Sequence, residues 1–155
     1  MQEVVKQLPL IVWFETSEWC KLPYPRHPHG CPNFGKREDC PPKANKFWSL
    51  IKAPYFLVGI RFNLGEHIEQ MRKKHPNWSE AQLKCLLYWQ NKVNKRLREL
   101  SLKLISLIPN SAILFKPEAN GIDVFKTAEN VGIFLERNPR FFVWKIAIIG
   151  VKVNP

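Results

Sequence analysis

Cys20, Cys31 and Cys40 fall in one stretch, CKLPYPRHPHGCPNFGKREDCPP, together with His27, His29 and six of the chain's 13 prolines. Thiols and imidazoles are the donors that hold zinc and iron–sulfur centres. A thiol beside an imidazole can also act as a nucleophile. Proline removes backbone donors and fixes φ, so this stretch is not a helix, and its prolines and glycines fit a sheet interior poorly. A loop of about residues 17–45 without a ladder of its own needs a cross-link. Thiolates on a metal supply one, and their binding energy then becomes folding energy. Prolines limit the freedom the unliganded loop must lose. Gly30 and Gly35 permit tight turns that aim N–H groups at sulfur, and Lys21, Arg26, Lys36 and Arg37 offset thiolate charge.

The N-terminal MQEVVKQLPLIVWFE has neither the basic start nor the small-residue cleavage site of a signal peptide and reads as a strand. No apolar run approaches the roughly 20 residues of a membrane helix. The expected location is cytoplasmic, where structural disulfides are rare and clustered cysteines point to metal or reactive thiols. The spacing Cys20-x10-Cys31-x8-Cys40 matches neither the paired C-x2-C hooks of zinc fingers nor the common ferredoxin runs. The fourth cysteine, Cys85, falls on a helix expected from Ser79 onward. At 100° per residue it sits on the flank of the apolar stripe, level with Trp78, Trp89 and Arg96. Cys20, Cys31, Cys40 and Cys85 are therefore expected to converge on one metal or cluster. The plainer role for Cys85 is a small buried hydrophobe. His27 and His29 compete for the fourth ligand place, since Cys3His is a common zinc set.

Net charge is +11, and it is uneven. Residues 1–50 hold 7 basic and 5 acidic groups, residues 51–110 hold 11 and 4, and the remainder 6 and 4. A polyanion such as RNA or DNA would bind the middle third. Its candidate residues are Arg72, Lys73, Lys74, Lys84, Lys92, Lys95, Arg96 and Arg98, with Trp78, Tyr88 and Trp89 available for base stacking. Their simpler roles are a solvated helix face, with Lys95–Glu99 as an i,i+4 pair, and core packing of the rings.

Strands are expected at Val4–Glu15, Tyr55–Leu64 (with Gly59 a candidate bulge), Ser111–Lys116 and Phe141–Val153. Helices are expected over Gly65–His75, from Ser79 to Pro109, and over Asp123–Val131. SEAQ fits a capping box with Ser79 at the N-cap and Gln82 at N3. Asp123 caps the last helix. The order predicts one α/β (α+β) domain over residues 1–155. It is a two-layer sandwich of about four strands, with helices on one face and the long Cys/Pro-rich loop.

GCPNFGKREDCPP resembles the CPxYGxxxxCPP signature of a family of small predicted metal-binding proteins, the DUF2284 type. PEANGIDVFKTAENVGI, residues 117–133, is similar to that family's C-terminal Pro-Glu-Ala, Gly-Ile-Asp-Val-Phe and Asn-x-Gly segment. The resemblance covers both flanks of the chain but not its middle. It implies a cysteine-bound iron–sulfur centre of unassigned activity, with Cys31 and Cys40 as ligands and Cys20 as the preceding cysteine. Family members carry a further cysteine cluster before Pro-Glu-Ala, whereas SLIPNSAILFKPEA has none here. A second metal site is not expected. Cys85 supplies the missing ligand, or the cluster has three protein ligands.

The functional expectation is a cysteine-ligated metalloprotein with one [4Fe-4S] cluster and redox or sulfur-transfer chemistry. The alternative is a zinc-stabilised basic RNA- or DNA-binding module. A thiol enzyme using His27 or His29 to activate a cysteine ranks last. No P-loop, dinucleotide-binding glycine motif, HExxH or serine-hydrolase elbow is present.

Overall fold

Two strands carry the molecule: β2 (Ile51–Asn63) and β4 (Phe142–Lys152). Their centres read as nearly unbroken apolar runs, the mark of strands covered on both faces. With β1 (Gln2–Leu8) and β3 (Ser111–Leu114) they form an antiparallel sheet in the order β1-β2-β4-β3. The computed structural model describes residues 1–23 and 26–154, without the side chains of residues 16–18. The sheet, the helices and the loop together make the expected α+β sandwich. Among the described residues no helix is long and apolar enough to cross a membrane.

On one face Val58, Ile60, Ala147 and Ile149 pack against Leu64 and Ile68 of α1 (Leu64–Lys74) and Leu83 of α2 (Glu80–Leu83). Val93 and Leu97 of α3 (Gln90–Ile105) complete that cluster. On the other face Leu57 and Ile148 meet Leu8, Phe47, Ile122 and the Val124 and Ala128 side chains of α4 (Val124–Glu129). The longer helices thus share one face, while α4 lies with the loop on the other. Val58, Ile60, Ile148 and Ile149 are fully buried. Each such side chain contributes roughly 1.5–3 kcal/mol of hydrophobic stabilisation, which makes the β2–β4 pair the anchor of both layers.

Several elements differ in detail from their expected extent. β1 stops at Leu8, before Pro9, and residues 12–14 turn to pair with the segment ahead of α4 instead. The irregularity in β2 lies between Lys52 and Phe56, not at Gly59, whose pairing with Ile146 is regular. Gly59 is a packing requirement: a Cβ there would stand 3.1 Å from the Trp144 ring. The capping box forms, with Gln82 N–H donating to Ser79 Oγ and Ser79 N–H to Gln82 Oε1. Asp123 caps α4, accepting from Lys126 N–H at 3.0 Å.

The single long helix expected from Ser79 does not form. It breaks at Lys84–Trp89, where Leu86–Tyr88 make a 3₁₀ turn. The cause is tertiary. Trp89 is pulled into the core, where it stacks on Phe62 at 4.9 Å and 10° and its indole N–H donates to Lys84 O. Leu86 and Leu87 are turned out to solvent in consequence.

His67 on α1 offers a test of this helical layer. Its Nε2 is buried without a hydrogen-bond partner among the described residues. Burial first, and Lys74 second, hold the imidazole below its ordinary value; Glu66 and Lys92 line the same hollow. A depressed histidine favours the fold while neutral, so its contribution is full above the unfolded value of about 6.5 and is lost as pH falls below it. The melting temperature should therefore fall between pH 7.5 and 5, and by less in His67→Gln. An unchanged pH slope in that variant would contradict the assignment.

Candidate metal centre

The loop holds its shape through a run of backbone turns. Phe34 N–H donates to Cys31 O, Lys36 N–H to Asn33 O, Cys40 N–H to Arg37 O and Ala44 N–H to Cys40 O, all at 3.0–3.2 Å. Gly35 N–H donates to Pro41 O at 2.8 Å and Gly30 N–H to His27 O at 3.2 Å, so both amides serve turns rather than sulfur. The tightest approach joins the two ends. Cys31 N–H donates to Cys20 O at 2.6 Å. Gly30, at φ +87°, lets the chains meet: a Cβ there would stand 2.3 Å from Cys20 O.

Cys20 sits near the end of a 3₁₀ turn, Thr16–Lys21, beside Trp19. The Trp19 ring packs against Phe14 and Phe125, and Arg137 lies over both Trp19 and Phe125. That aromatic packing ties the cysteine turn to α4. Cys20, Cys31 and Cys40 line a single cavity of about 390 Å³ with Trp19, Pro41, Lys116, Glu118 and Ala119. Its second wall comes from the 3₁₀ turn Pro117–Asn120. That turn is fixed to the loop by Asn120 Nδ2–H donating to Asn45 O at 2.7 Å, and by the Lys116–Asp39 ion pair at 2.6 Å. Behind it, Phe14 N–H donates to Gly121 O and Asp123 N–H to Val12 O. The Cys31–Pro42 and Pro117–Asn120 stretches, 75 residues apart, therefore face each other across one cavity.

All four cysteines are free. Burial pushes the Cys20 thiol up, reinforced by the neighbouring Cys31, Cys40 and Glu118. Three cysteines and a carboxyl along one cavity are donors that a bound cation would join. Lys116 Nζ stands 4.0 Å from Cys40 Sγ, while the Cys40 thiol faces Asp39 at 3.8 Å. Asp39 also takes Arg37 at 3.1 Å, and its carboxyl is held below the usual range, chiefly by Lys116. Among the described residues no group of three or more Cys, His, Asp or Glu side chains is drawn close enough to hold a single metal ion. The sulfurs line a wall.

Cys85 is not at this wall. It lies in the break between α2 and α3 with non-helical backbone (φ −56°, ψ 126°), flanked by Leu83 and Trp89 in the core of the helical face. The sheet separates it from the other three, and the flank position computed for an unbroken helix does not apply. His27 and His29 line a second cavity of about 390 Å³ that shares Cys20 and Cys31 but not Cys40. Lys21, Arg26 and Lys36 also line it.

The basic candidates are divided among ion pairs and three hollows. Arg96 pairs with Glu3 and with Glu99, displacing the expected Lys95–Glu99 pair. Arg72 pairs with Glu80, Lys84 lines a hollow with Arg72 and Arg140, and Lys92 lines another with His67. Lys73 and Lys74 end α1, where cations suit the helix dipole. Trp89 is core, and Trp78 stacks on His75 at 3.9 Å and meets Tyr88 at 5.2 Å. Lys116, Glu118 and Trp19 are cavity residues that the cysteine pattern did not indicate.

Comparison with family models, with curated proteins and with solved structures finds no match.

The two loop glycines give a differential test. Gly35 also has positive φ, +72°, but a Cβ there meets nothing nearer than 4.0 Å. Gly35→Ala should cost only the left-handed backbone penalty, about 1–2 kcal/mol. Gly30→Ala adds the clash with the Cys20 carbonyl and should cost distinctly more. Urea unfolding of both variants measures the difference; equal losses would mean that the Cys20–Cys31 approach is not formed.

Proposed function

We propose that the protein is a cysteine-ligated metalloprotein whose cavity binds one [4Fe-4S] cluster through Cys20, Cys31 and Cys40. The observation that carries this is the three free thiols of distant turns lining one cavity. Thiolate-rich sites suit zinc and iron–sulfur alike. A [4Fe-4S] cluster spreads its cysteine ligands over separate irons, and a cavity of about 390 Å³ has room for one. Cys85, across the sheet, is a structural residue. A cluster so held would keep one iron without a cysteine, and Lys116 and Glu118 line the same cavity.

When bound, such a cluster would supply a Lewis-acid and electron-transfer position, and the chain's own groups set what reaches it. Lys116 presents a cation beside Cys40 and favours a negatively charged approach. Glu118 is a carboxyl that crowding pushes up, against the pull of its own backbone N–H and of Lys145. The reaction class is redox or sulfur-transfer chemistry in a reducing, cytoplasmic setting, where thiols stay free.

Anaerobically purified protein should contain about four iron and four acid-labile sulfide per chain. Cys20→Ala, Cys31→Ala and Cys40→Ala should each lose most of the iron, and Cys85→Ala should keep it. Zinc near one per chain without sulfide would overturn the proposal.

A further inference from the structure

A second cavity adjoins the cysteine site. β3 ends at Leu114, opposite Ile148, so β4 below that point carries no strand on its outer side among the described residues. The gap between this open edge and α3 is a groove of about 360 Å³. Lys95 and Arg98 line it from α3, Lys145 from β4, and Lys116 from the turn that also walls the cysteine cavity. Gln90 and Asn94 add uncharged polar groups, and no carboxylate lines the groove.

Four cations sharing one concavity repel one another unless an anion joins them. Lys116 is paired with Asp39. Lys95, Arg98 and Lys145 have no salt bridge among the described residues, although Arg96 and Arg72 on the same layer do. The Arg98 guanidinium is held 4.8 Å over the Phe115 ring, which fixes its direction. Lys145 is the sole charge within the apolar run FVWKIAII. It is half-buried, and burial holds its ammonium below the ordinary value, with Glu118 partly restoring it. Keeping a cation there costs stability, and a bound anion offsets that cost. Two lysines, one guanidinium fork and neighbouring amides suit the oxygens of a phosphate.

We propose that this groove seats the phosphate of the substrate of the cysteine site, a free nucleotide or an RNA strand, so that its other end passes Lys116 into the cavity. The inference rests on the metal-centre reading and names its substrate class.

The test is fluorescence anisotropy of the full chain with a labelled single-stranded RNA of about 12 nucleotides, competed with AMP. RNA should bind and release with salt. Displacement by AMP would make a free nucleotide sufficient; binding of RNA without displacement would make the strand the source. The double variant Lys95→Ala/Arg98→Ala removes two exposed cations from a helix surface that tolerates alanine. It should weaken binding about tenfold or more and lower the log–log salt slope by about 1.4. Lys145→Met should also weaken binding, and Lys145→Arg should preserve it. Lys73→Ala/Lys74→Ala removes equal charge elsewhere and should change affinity less than about threefold. Absence of binding to either probe, or equal losses from both double variants, would overturn the groove. The anisotropy reading does not depend on the cluster, and the iron content of the same samples is measured separately. Failure of the groove therefore leaves the iron result standing, and failure of the iron result leaves the groove measurable.

Discussion

The Cys31 amide on the Cys20 carbonyl is the contact on which the candidate site depends. It brings two turns, separated by a proline-rich stretch, to within 2.6 Å. Gly30 is what permits it, because any side chain there would occupy the space of the Cys20 backbone. Once these turns touch, the remaining turns carry Cys40 to the same wall, and Asn45 meets the turn after β3. A segment with neither helix nor ladder is thus built by backbone bonds from each turn to the next. The metal proposed for it would tighten a shape already present.

The sheet divides the labour. One face, with α1, α2 and α3, is ordinary core and takes in Trp89, with part-buried Cys85 in the break between α2 and α3. The other carries the loop and α4, joined through Val12, Phe14 and Thr127 to the segment around Gly121 and Asp123. Lys116 stands at the edge strand's end, where the two layers meet, and so lines both the cysteine cavity and the cationic groove.

Much of this was legible in the residues because it is local. The Ser79–Gln82 box, the Asp123 cap, and the apolar runs of β2 and β4 each follow from chemistry within a few positions. The break at Lys84–Trp89 was not, since Phe62, far away in sequence, decides it by stacking on Trp89. Periodicity therefore placed Cys85 on a helix flank that does not exist. The loop trio was legible as a group from its spacing and proline content, but not the wall opposite it. The sign available for that wall was the Pro-Glu-Ala segment, which the structure sets across the cavity. A lone lysine in the apolar run of β4 was the corresponding sign for the groove.

A cluster held by three cysteines would have one iron distinct from the other three. Mössbauer spectroscopy of protein reconstituted with ⁵⁷Fe tests it most directly. Two environments in a ratio of about three to one are expected, unchanged in Cys85→Ala, with the minor one altered when AMP is added. Four cysteine-ligated irons that change together in Cys85→Ala would contradict it.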